Sequence, residues 1–181
     1  KDIRNVFLSH MHADHVAGLC YYPQAKLICR EQAVTFYRNL SRFSRVKNGF
    51  LASLLPHDFM QRSILLDDSA FTDGSSPLQD FSVCDYWDDG SLLVIDLPGH
   101  APGHIGFMLN TEDKKILYAA DAYWDIQVLQ SGSKIPWISR MIQHDNRQYV
   151  ESQKKLRPLV SLQYVFVLAT HCNQNPISWS K

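Results

Sequence analysis

Four times in this sequence, a short apolar segment with strand character runs directly into a histidine or an aspartate. The residues that follow these four predicted strands are His10, His100, Asp121 and His171. Proteins of the α/β class place their sites at strand ends, where the loops are free to vary. Four separate coincidences explain the pattern poorly, so we expect the four side chains to meet at one edge of layered sheets.

The first of these strands leads into the motif His10-Met11-His12-Ala13-Asp14-His15, which holds three imidazoles and one carboxylate in six residues. Neutral imidazole is the commonest metal ligand in proteins near neutral pH. Alternation along an extended segment would point His10 and His12 the same way, whereas Asp14 and His15, at a turn, would aim elsewhere. This arrangement suits two neighbouring metal ions better than one.

The candidate ligands are five histidines and two carboxylates, with no thiolate among them. They are His10, His12, Asp14, His15, His100, Asp121 and His171. Nitrogen and oxygen donors suit zinc, iron or manganese, and zinc comes first because it is the common Lewis acid of hydrolysis. Seven ligands are too many for one tetrahedral ion, so two metals that share a carboxylate, about 3.5–4 Å apart, are predicted.

The same residues resemble the metallo-β-lactamase superfamily of hydrolases. The motifs that carry the resemblance occur in the same order along almost the whole chain. They are His10-x-His12-x-Asp14-His15, Pro98-Gly99-His100-Ala101-Pro102-Gly103-His104, Asp121 and Thr170-His171. The resemblance implies an α/β fold, the four-layer αββα sandwich.

The resemblance also implies a role for each residue of the site. It assigns His10, His12 and His100 to the first metal, and Asp14, His15 and His171 to the second. Asp121 would bridge the two metals, with a water or hydroxide on the other side. Asp14 would orient that nucleophile and could pass the proton to the leaving group, so Asp14 and Asp121 are the candidate catalytic residues. His104 is expected to be a structural histidine rather than a ligand.

Within the superfamily the chain looks most like the N-acyl homoserine lactonase and glyoxalase II-like hydrolases, for which the Pro-Gly-His-x-Pro-Gly-His block is typical. One position departs from the lactonases, which place a tyrosine three residues after the bridging aspartate. Here that position is Trp124, and Tyr123 lies one residue earlier. The expected substrate is therefore a small-molecule ester, lactone or thioester, and either aromatic residue could contact it.

Three other functions remain open. The first is a phosphodiesterase or nuclease of the same superfamily, the second a mononuclear iron dioxygenase, and the third a non-catalytic, metal-bound domain that binds a signal molecule. Eighteen basic and eighteen acidic residues give no net charge, which argues against nucleic acid as a partner. No apolar run is long enough to span a bilayer, so no membrane partner is expected. The sequence does not indicate an oligomeric state.

The length of 181 residues predicts a single domain over residues 1–181. The superfamily has strands and an Asp-x-Gly turn before the histidine motif, so we expect the N-terminal part of the domain to be truncated here. The four cysteines are scattered without a C-x-x-C pair. They are therefore interpreted as free thiols in a reducing cytoplasm.

Periodicity and turn residues also predict local structure. An amphipathic helix is expected from Glu31 to about Val46, ended by Asn48-Gly49. The segment 67–78 is expected to be a surface loop, and a helix over 146–156 is expected to stop at Pro158.

The sequence assigns no definite role to two further histidines and to several aromatic residues. His57 and His144 stand alone in polar settings and are expected to be ordinary surface residues. Five aromatic residues either line a substrate pocket or pack in the core or at its rim, and neither alternative is preferred. They are Tyr21, Tyr22, Tyr123, Trp124 and Trp137.

Overall fold

The computed structural model describes residues 2–133 and 137–172. The chain divides into two compact units. The first unit consists of Lys1–Ala70 with Ala101–His104, and the second of Phe71–His100 with Ile105–Lys181. The single domain expected from the length stays a prediction.

The first unit contains a parallel three-stranded sheet in the order β1-β2-β3. Its strands are β1 (Asn5–Phe7), β2 (Lys26–Arg30) and β3 (Ser63–Leu66). Its helices are α1 (Ala13–Val16), α2 (Glu31–Arg38), α3 (Arg42–Lys47) and α4 (Phe59–Arg62), with short 3-10 turns at Leu19–Tyr21, Ala52–Leu54 and Asp68–Ala70. The strand β1, which leads to His10, was predicted from the sequence, whereas β3 was not.

The expectation of one helix from Glu31 to Val46 is wrong, because α2 and α3 are separate helices. Ser41 is extended, with φ −62° and ψ 160°, and its Oγ accepts a hydrogen bond from the backbone N–H of Ser44. A serine that satisfies the first N–H groups of a helix starts a new helix rather than continuing the old one. The predicted end at Asn48-Gly49 is confirmed.

The core of the first unit includes one face of α2, which packs with residues of β2 and with Phe50 and Phe59. The buried side chains on α2 are Ala33, Val34 and Tyr37, which lie on one face of the helix. The ring of Tyr37 stacks on Phe50 at 4.6 Å between centroids, and its hydroxyl donates to the carbonyl of Asn48. Burial raises the pKa of Tyr37 to about 12.

The second unit contains a six-stranded sheet in the order β4-β5-β6-β7-β8-β9. All neighbours in it are antiparallel except β8 and β9, which are parallel. The strands are β4 (Thr72–Asp73), β5 (Ser82–Asp85), β6 (Leu92–Asp96), β7 (Ile105–Asn110), β8 (Lys115–Tyr118) and β9 (Val165–Leu168).

The expectation of a plain surface loop over 67–78 is wrong in two respects. Thr72 and Asp73 pair with Val83 and Ser82 as the edge strand of this sheet. Leu78 is only 1% exposed and belongs to the core of the unit. The polar composition of this segment favours a loop, but the buried side chain of Leu78 packs its C-terminal end into the core.

The described residues of the second unit form three helices, namely α5 (Ile126–Ser131), α6 (Trp137–Met141) and α7 (Asn146–Val160). The expected stop at Pro158 is wrong, because α7 continues two residues further. Proline removes one backbone donor from a helix, but Leu156 and Leu159 on the same turn are buried in the core, and their burial outweighs that loss. Among the described residues, no helix has the length and apolar character needed to cross a membrane.

Candidate metal centre

The histidine motif follows β1 in the first unit. The backbone N–H of Leu8 donates to the carbonyl of Ile28, which holds the chain against β2 up to the motif. The ring of His10 then lies 4.5 Å from the ring of His12 and 4.0 Å from that of His15, measured between centroids. The fold therefore brings the three imidazoles of the motif into one cluster.

Ser9 connects two of these imidazoles, and sequence reasoning did not identify it. Its Oγ lies 3.1 Å from Nδ1 of His10 and 3.2 Å from Nδ1 of His15. A hydroxyl oxygen has two lone pairs and can accept from both rings. When each Nδ1 carries the proton, each Nε2 presents its lone pair, which is the form that ligates a metal.

Asp14 and His15 lie next to each other on the single turn of α1. Nε2 of His15 is 3.5 Å from Oδ2 of Asp14, and the Asp14 side chain is 58% exposed whereas that of His15 is 9% exposed. A carboxylate that is open to solvent and adjacent to the imidazole cluster can take up or release a proton. Asp14 is thus suited to proton transfer as well as to ligation.

Gly49 and His104 complete the surroundings of the cluster in the first unit. Gly49 has φ +72°, and a Cβ at this position would lie 3.1 Å from Cδ2 of His12. Its carbonyl accepts from the backbone N–H of Ala13, so the glycine closes tightly over the motif. His104 is fully buried with its ring 5.1 Å from that of His10.

In the second unit, the loop after β6 presents His100. Gly99 has φ +126°, and a Cβ there would lie 2.1 Å from the backbone nitrogen of Tyr149. Only glycine allows this close approach between the loop and the first turn of α7. The backbone N–H groups of His144 and Asp145 donate to the carbonyls of His100 and Gly99, which fixes the loop further.

Gln143 orients the ring of His100, and sequence reasoning did not identify it either. Its Oε1 lies 2.9 Å from Nδ1 of His100, and its own amide nitrogen donates to the carbonyl of Ser139. Since the amide oxygen only accepts, Nδ1 of His100 carries the proton. The lone pair of His100 is then on Nε2, the atom that faces Asp121.

Asp121 lies between two imidazoles of the second unit. The parallel pairing of β8 with β9 continues past both strands, because Ala119 donates to Leu168 and Thr170 donates to Ala120 through the backbone. This brings Asp121 beside His171. Oδ2 of the buried Asp121 is 3.5 Å from Nε2 of His100 and 3.3 Å from Nε2 of His171.

The aromatic residues after Asp121 have different environments. Tyr123 is 1% exposed and donates its hydroxyl to the carbonyl of Val167, so it packs in the core, where burial raises its pKa. Trp124 is half-buried, with its ring centroid 6.2 Å from His100 and 6.5 Å from His171. Its Nε1 is buried and has no acceptor among the residues that the structure describes. Of the two aromatics, Trp124 is the one beside the candidate ligands.

The other predicted residues lie at the surface. Tyr21, Tyr22 and Trp137 are 81%, 42% and 69% exposed, so none of them is a core residue. His57 and His144 are exposed, as the sequence predicts.

The donor atoms within each unit fit divalent metal ions. The first unit holds His10, His12, Asp14 and His15, whereas the second holds His100, Asp121 and His171. In each unit the donors are imidazole nitrogens and carboxylate oxygens, and Ser9 or Gln143 faces Nδ1 of a ring. A hydrogen-bonded Nδ1 and a ligating Nε2 are the usual arrangement of histidine at a metal.

Known proteins resemble this chain in sequence and in fold. The chain is 25% identical over 183 residues to N-acyl homoserine lactonase AttM of Agrobacterium fabrum, covering 99% of the chain and 60% of that relative. No protein-family model matches it. Among solved structures, the dizinc quorum-quenching lactonase AidC superimposes with a TM-score of 0.67 at 17% identity, covering 96% of this chain and 58% of AidC.

A third similar protein, also a solved structure, identifies the fold. The structure of AbOPH, a hydrolase in the β-lactamase superfamily, superimposes with a TM-score of 0.64 at 18% identity, covering 95% of this chain and 58% of AbOPH. The chain thus has the metallo-β-lactamase fold, and the predicted α/β class and the predicted resemblance are confirmed. The chain spans about 60% of the length of the lactonase that it matches.

Proposed function

We propose that this chain, which has the metallo-β-lactamase fold, is a metal-dependent hydrolase that cleaves an ester, lactone or thioester. All seven predicted ligands would hold two metal ions, with zinc expected first and iron or manganese as the alternatives. His10, His12 and His100 would hold one ion, Asp14, His15 and His171 the other, and Asp121 both.

The position of Asp121 is the observation that carries the proposal. One buried carboxylate oxygen lies within 3.5 Å of the Nε2 atoms of both His100 and His171. A buried carboxylate is stabilised by nearby positive charge. A pair of dications supplies that charge and suits a carboxylate placed between two sets of ligands.

When bound, the metal ions would polarise the scissile carbonyl and lower the pKa of a water molecule from about 15.7 to roughly 7. The chain's own residues would then handle the proton. Asp14, whose side chain is more than half exposed, would accept it from the water and return it to the leaving alkoxide or thiolate. The buried Asp121, by contrast, has no route to solvent of this kind and would act as a fixed ligand.

Trp124 is proposed as a donor to the substrate. Its Nε1–H is buried next to His100 and His171 and has no acceptor among the described residues. An indole nitrogen only donates, so a carbonyl oxygen of the substrate is the matching group. A substrate with such a carbonyl beside the scissile bond would satisfy the indole on binding.

The relatives suggest which substrate to test first. AttM is named as an N-acyl homoserine lactonase, and AidC was solved with a hexanoyl-homoserine product. We therefore propose a lactone as the first substrate to test, followed by thioesters and simple esters.

The compartment that we propose is the cytoplasm. All four cysteines, Cys20, Cys29, Cys84 and Cys172, are free thiols. Unbridged cysteines are typical of a reducing compartment.

A substrate panel tests the proposed activity. Zinc-loaded protein is assayed with an N-acyl homoserine lactone, a thioester and a phosphodiester, in parallel with Asp121→Ala and, as a control, His57→Ala. We expect turnover of a carbonyl substrate in the wild type and in His57→Ala and none in Asp121→Ala. Undiminished turnover by Asp121→Ala, with metal absent by elemental analysis, would contradict the proposal, and cleavage of the phosphodiester alone would replace it with the nuclease alternative.

A further inference from the structure

The first unit contains a cavity of about 520 Å³ that has no part in the proposed hydrolysis. Small-molecule sites in proteins commonly measure roughly 300–1,000 Å³. Apolar side chains supply most of its wall, namely Met11, Val34, Phe50, Leu55, Phe59 and Met60. Its size and lining fit a flexible aliphatic chain.

The cavity is separate from the imidazole cluster of the same unit. Met11 lies between His10 and His12 in sequence, yet it is 1% exposed and packs in the core cluster that includes Tyr37 and Phe50. The rings of His10 and His12, by contrast, lie against each other. Met11 thus lines the cavity while its two neighbours form the candidate ligand cluster.

Two arginines give the cavity a positive rim. Arg45 is held in place because its Nε donates to the carbonyl of Tyr37 at 2.8 Å and its Nη2 to that of Arg38 at 3.0 Å. Arg38 also lines the cavity and is exposed. Within residues 2–133 and 137–172, neither guanidinium pairs with a carboxylate. Both positive charges are therefore available to an anion.

We propose that this cavity binds a medium-chain aliphatic carboxylate, with the chain among the apolar side chains and the carboxylate at Arg38 and Arg45. The planar guanidinium matches a carboxylate through paired hydrogen bonds. An apolar cavity with a fixed cationic rim selects an amphipathic anion over an uncharged molecule of the same length. This site does not depend on the proposed metal centre.

Calorimetric titration of the protein with decanoate tests the proposal. Because each buried methylene contributes to binding, we expect octanoate to bind roughly fifteenfold more weakly than decanoate. Decanol, which lacks the charge, is expected to bind at least about tenfold more weakly. The same decanoate affinity is expected with a chelator present, which separates this site from any metal-bound carboxylate.

Variants at the rim make the test specific. Arg38→Gln is expected to weaken decanoate binding roughly tenfold, and Met60→Glu, which places a negative charge at the mouth, to weaken it at least as much. Arg42→Gln is the matched control, since Arg42 is an exposed arginine of the same region that does not line the cavity. Thermal melting curves establish that each variant is folded.

Several outcomes would overturn the proposal. The first two are that decanoate does not bind the wild type, or that decanoate and decanol bind with equal affinity. The others are that decanoate no longer binds when a chelator is present, or that Arg38→Gln and Arg42→Gln weaken decanoate binding equally. The last would show a general attraction to basic surface rather than a site.

Discussion

Three of the candidate ligand imidazoles have a polar side chain within hydrogen-bond distance of Nδ1. Ser9 faces Nδ1 of His10 and of His15, and Gln143 faces Nδ1 of His100. The sequence predicted all three histidines but neither partner. Ser9 is adjacent to the motif and could have been suspected from its position. Gln143, however, is 43 residues from His100 and reaches it only because the chain folds back.

Replacing Gln143 tests whether this orientation matters for metal binding. Gln143→Ala removes the acceptor at Nδ1 of His100, so the ring loses its fixed orientation and proton position. Loss of such a partner typically weakens metal affinity 10–100-fold, and we expect a decrease of about that size in a zinc competition titration. Gln127→Ala, at an exposed glutamine, is the control, and equal zinc affinities for the two variants would contradict the role of Gln143.

Trp124→Phe tests the proposed donor at the substrate. Phenylalanine keeps an aromatic ring but lacks the N–H, so the substrate carbonyl loses one hydrogen bond. We expect kcat/KM to fall roughly tenfold while zinc affinity stays the same. Trp87→Phe, at an exposed turn, serves as the control. A parallel loss of zinc would instead indicate that Trp124 supports the ligands.

At the scale of elements, the strands that lead to the site were predictable and several of the connecting elements were not. Apolar runs predicted the strands that lead to His100, Asp121 and His171, which are β6, β8 and β9. The strand β4 (Thr72–Asp73) was missed because two residues are too few to show a period. The strand β3 (Ser63–Leu66) was missed because it begins directly where α4 ends. The break between α2 and α3 depends on a cap at Ser41, which competes with an otherwise helical pattern.

The cap of α7 gives a pH-dependent prediction. The backbone N–H of Gln148, followed by that of Arg147, donates to the Asp145 carboxylate and lowers its pKa. A lowered pKa in the folded state stabilises the fold above the unfolded value of about 3.9, and this stability is lost as the pH falls through the folded pKa.

Asp145→Asn keeps a capping oxygen but does not titrate. We expect its melting temperature to fall less than that of the wild type between pH 5 and pH 3, as measured by circular dichroism. Asp113→Asn, at an exposed turn, should retain the wild-type slope. Identical slopes for the wild type and Asp145→Asn would contradict the proposed contribution of the cap.

Gly99 gives a second prediction at this scale. Gly99→Ala would place a Cβ 2.1 Å from the backbone nitrogen of Tyr149 at a φ of +126°, so strain and overlap add to about 2–5 kcal/mol of lost stability. Gly90→Ala is the control, because Gly90 has φ +73° with nothing within 4 Å of its Cβ; it should lose about 1 kcal/mol. Equal losses in urea denaturation would contradict the close packing of the loop on α7.

At the scale of the whole molecule, the order of the motifs along the chain predicted the fold better than any single element did. Four blocks from His10 to His171 indicated the superfamily, and the comparisons confirm the fold. The division into two compact units was not predicted, because nothing in composition separates residues 1–70 from the rest. The long separation between Asp121 and His171 also hides their proximity, which depends on the parallel pairing of β8 with β9.

The central proposal is that the seven predicted ligands hold one pair of metal ions. Zinc content per chain, measured by native mass spectrometry on folded protein, tests it most directly. We predict two zinc ions in the wild type and in His57→Ala, and fewer in both His12→Ala, in the first unit, and His171→Ala, in the second. Two zinc ions retained by either ligand variant, or none bound by the folded wild type in excess zinc, would contradict the account.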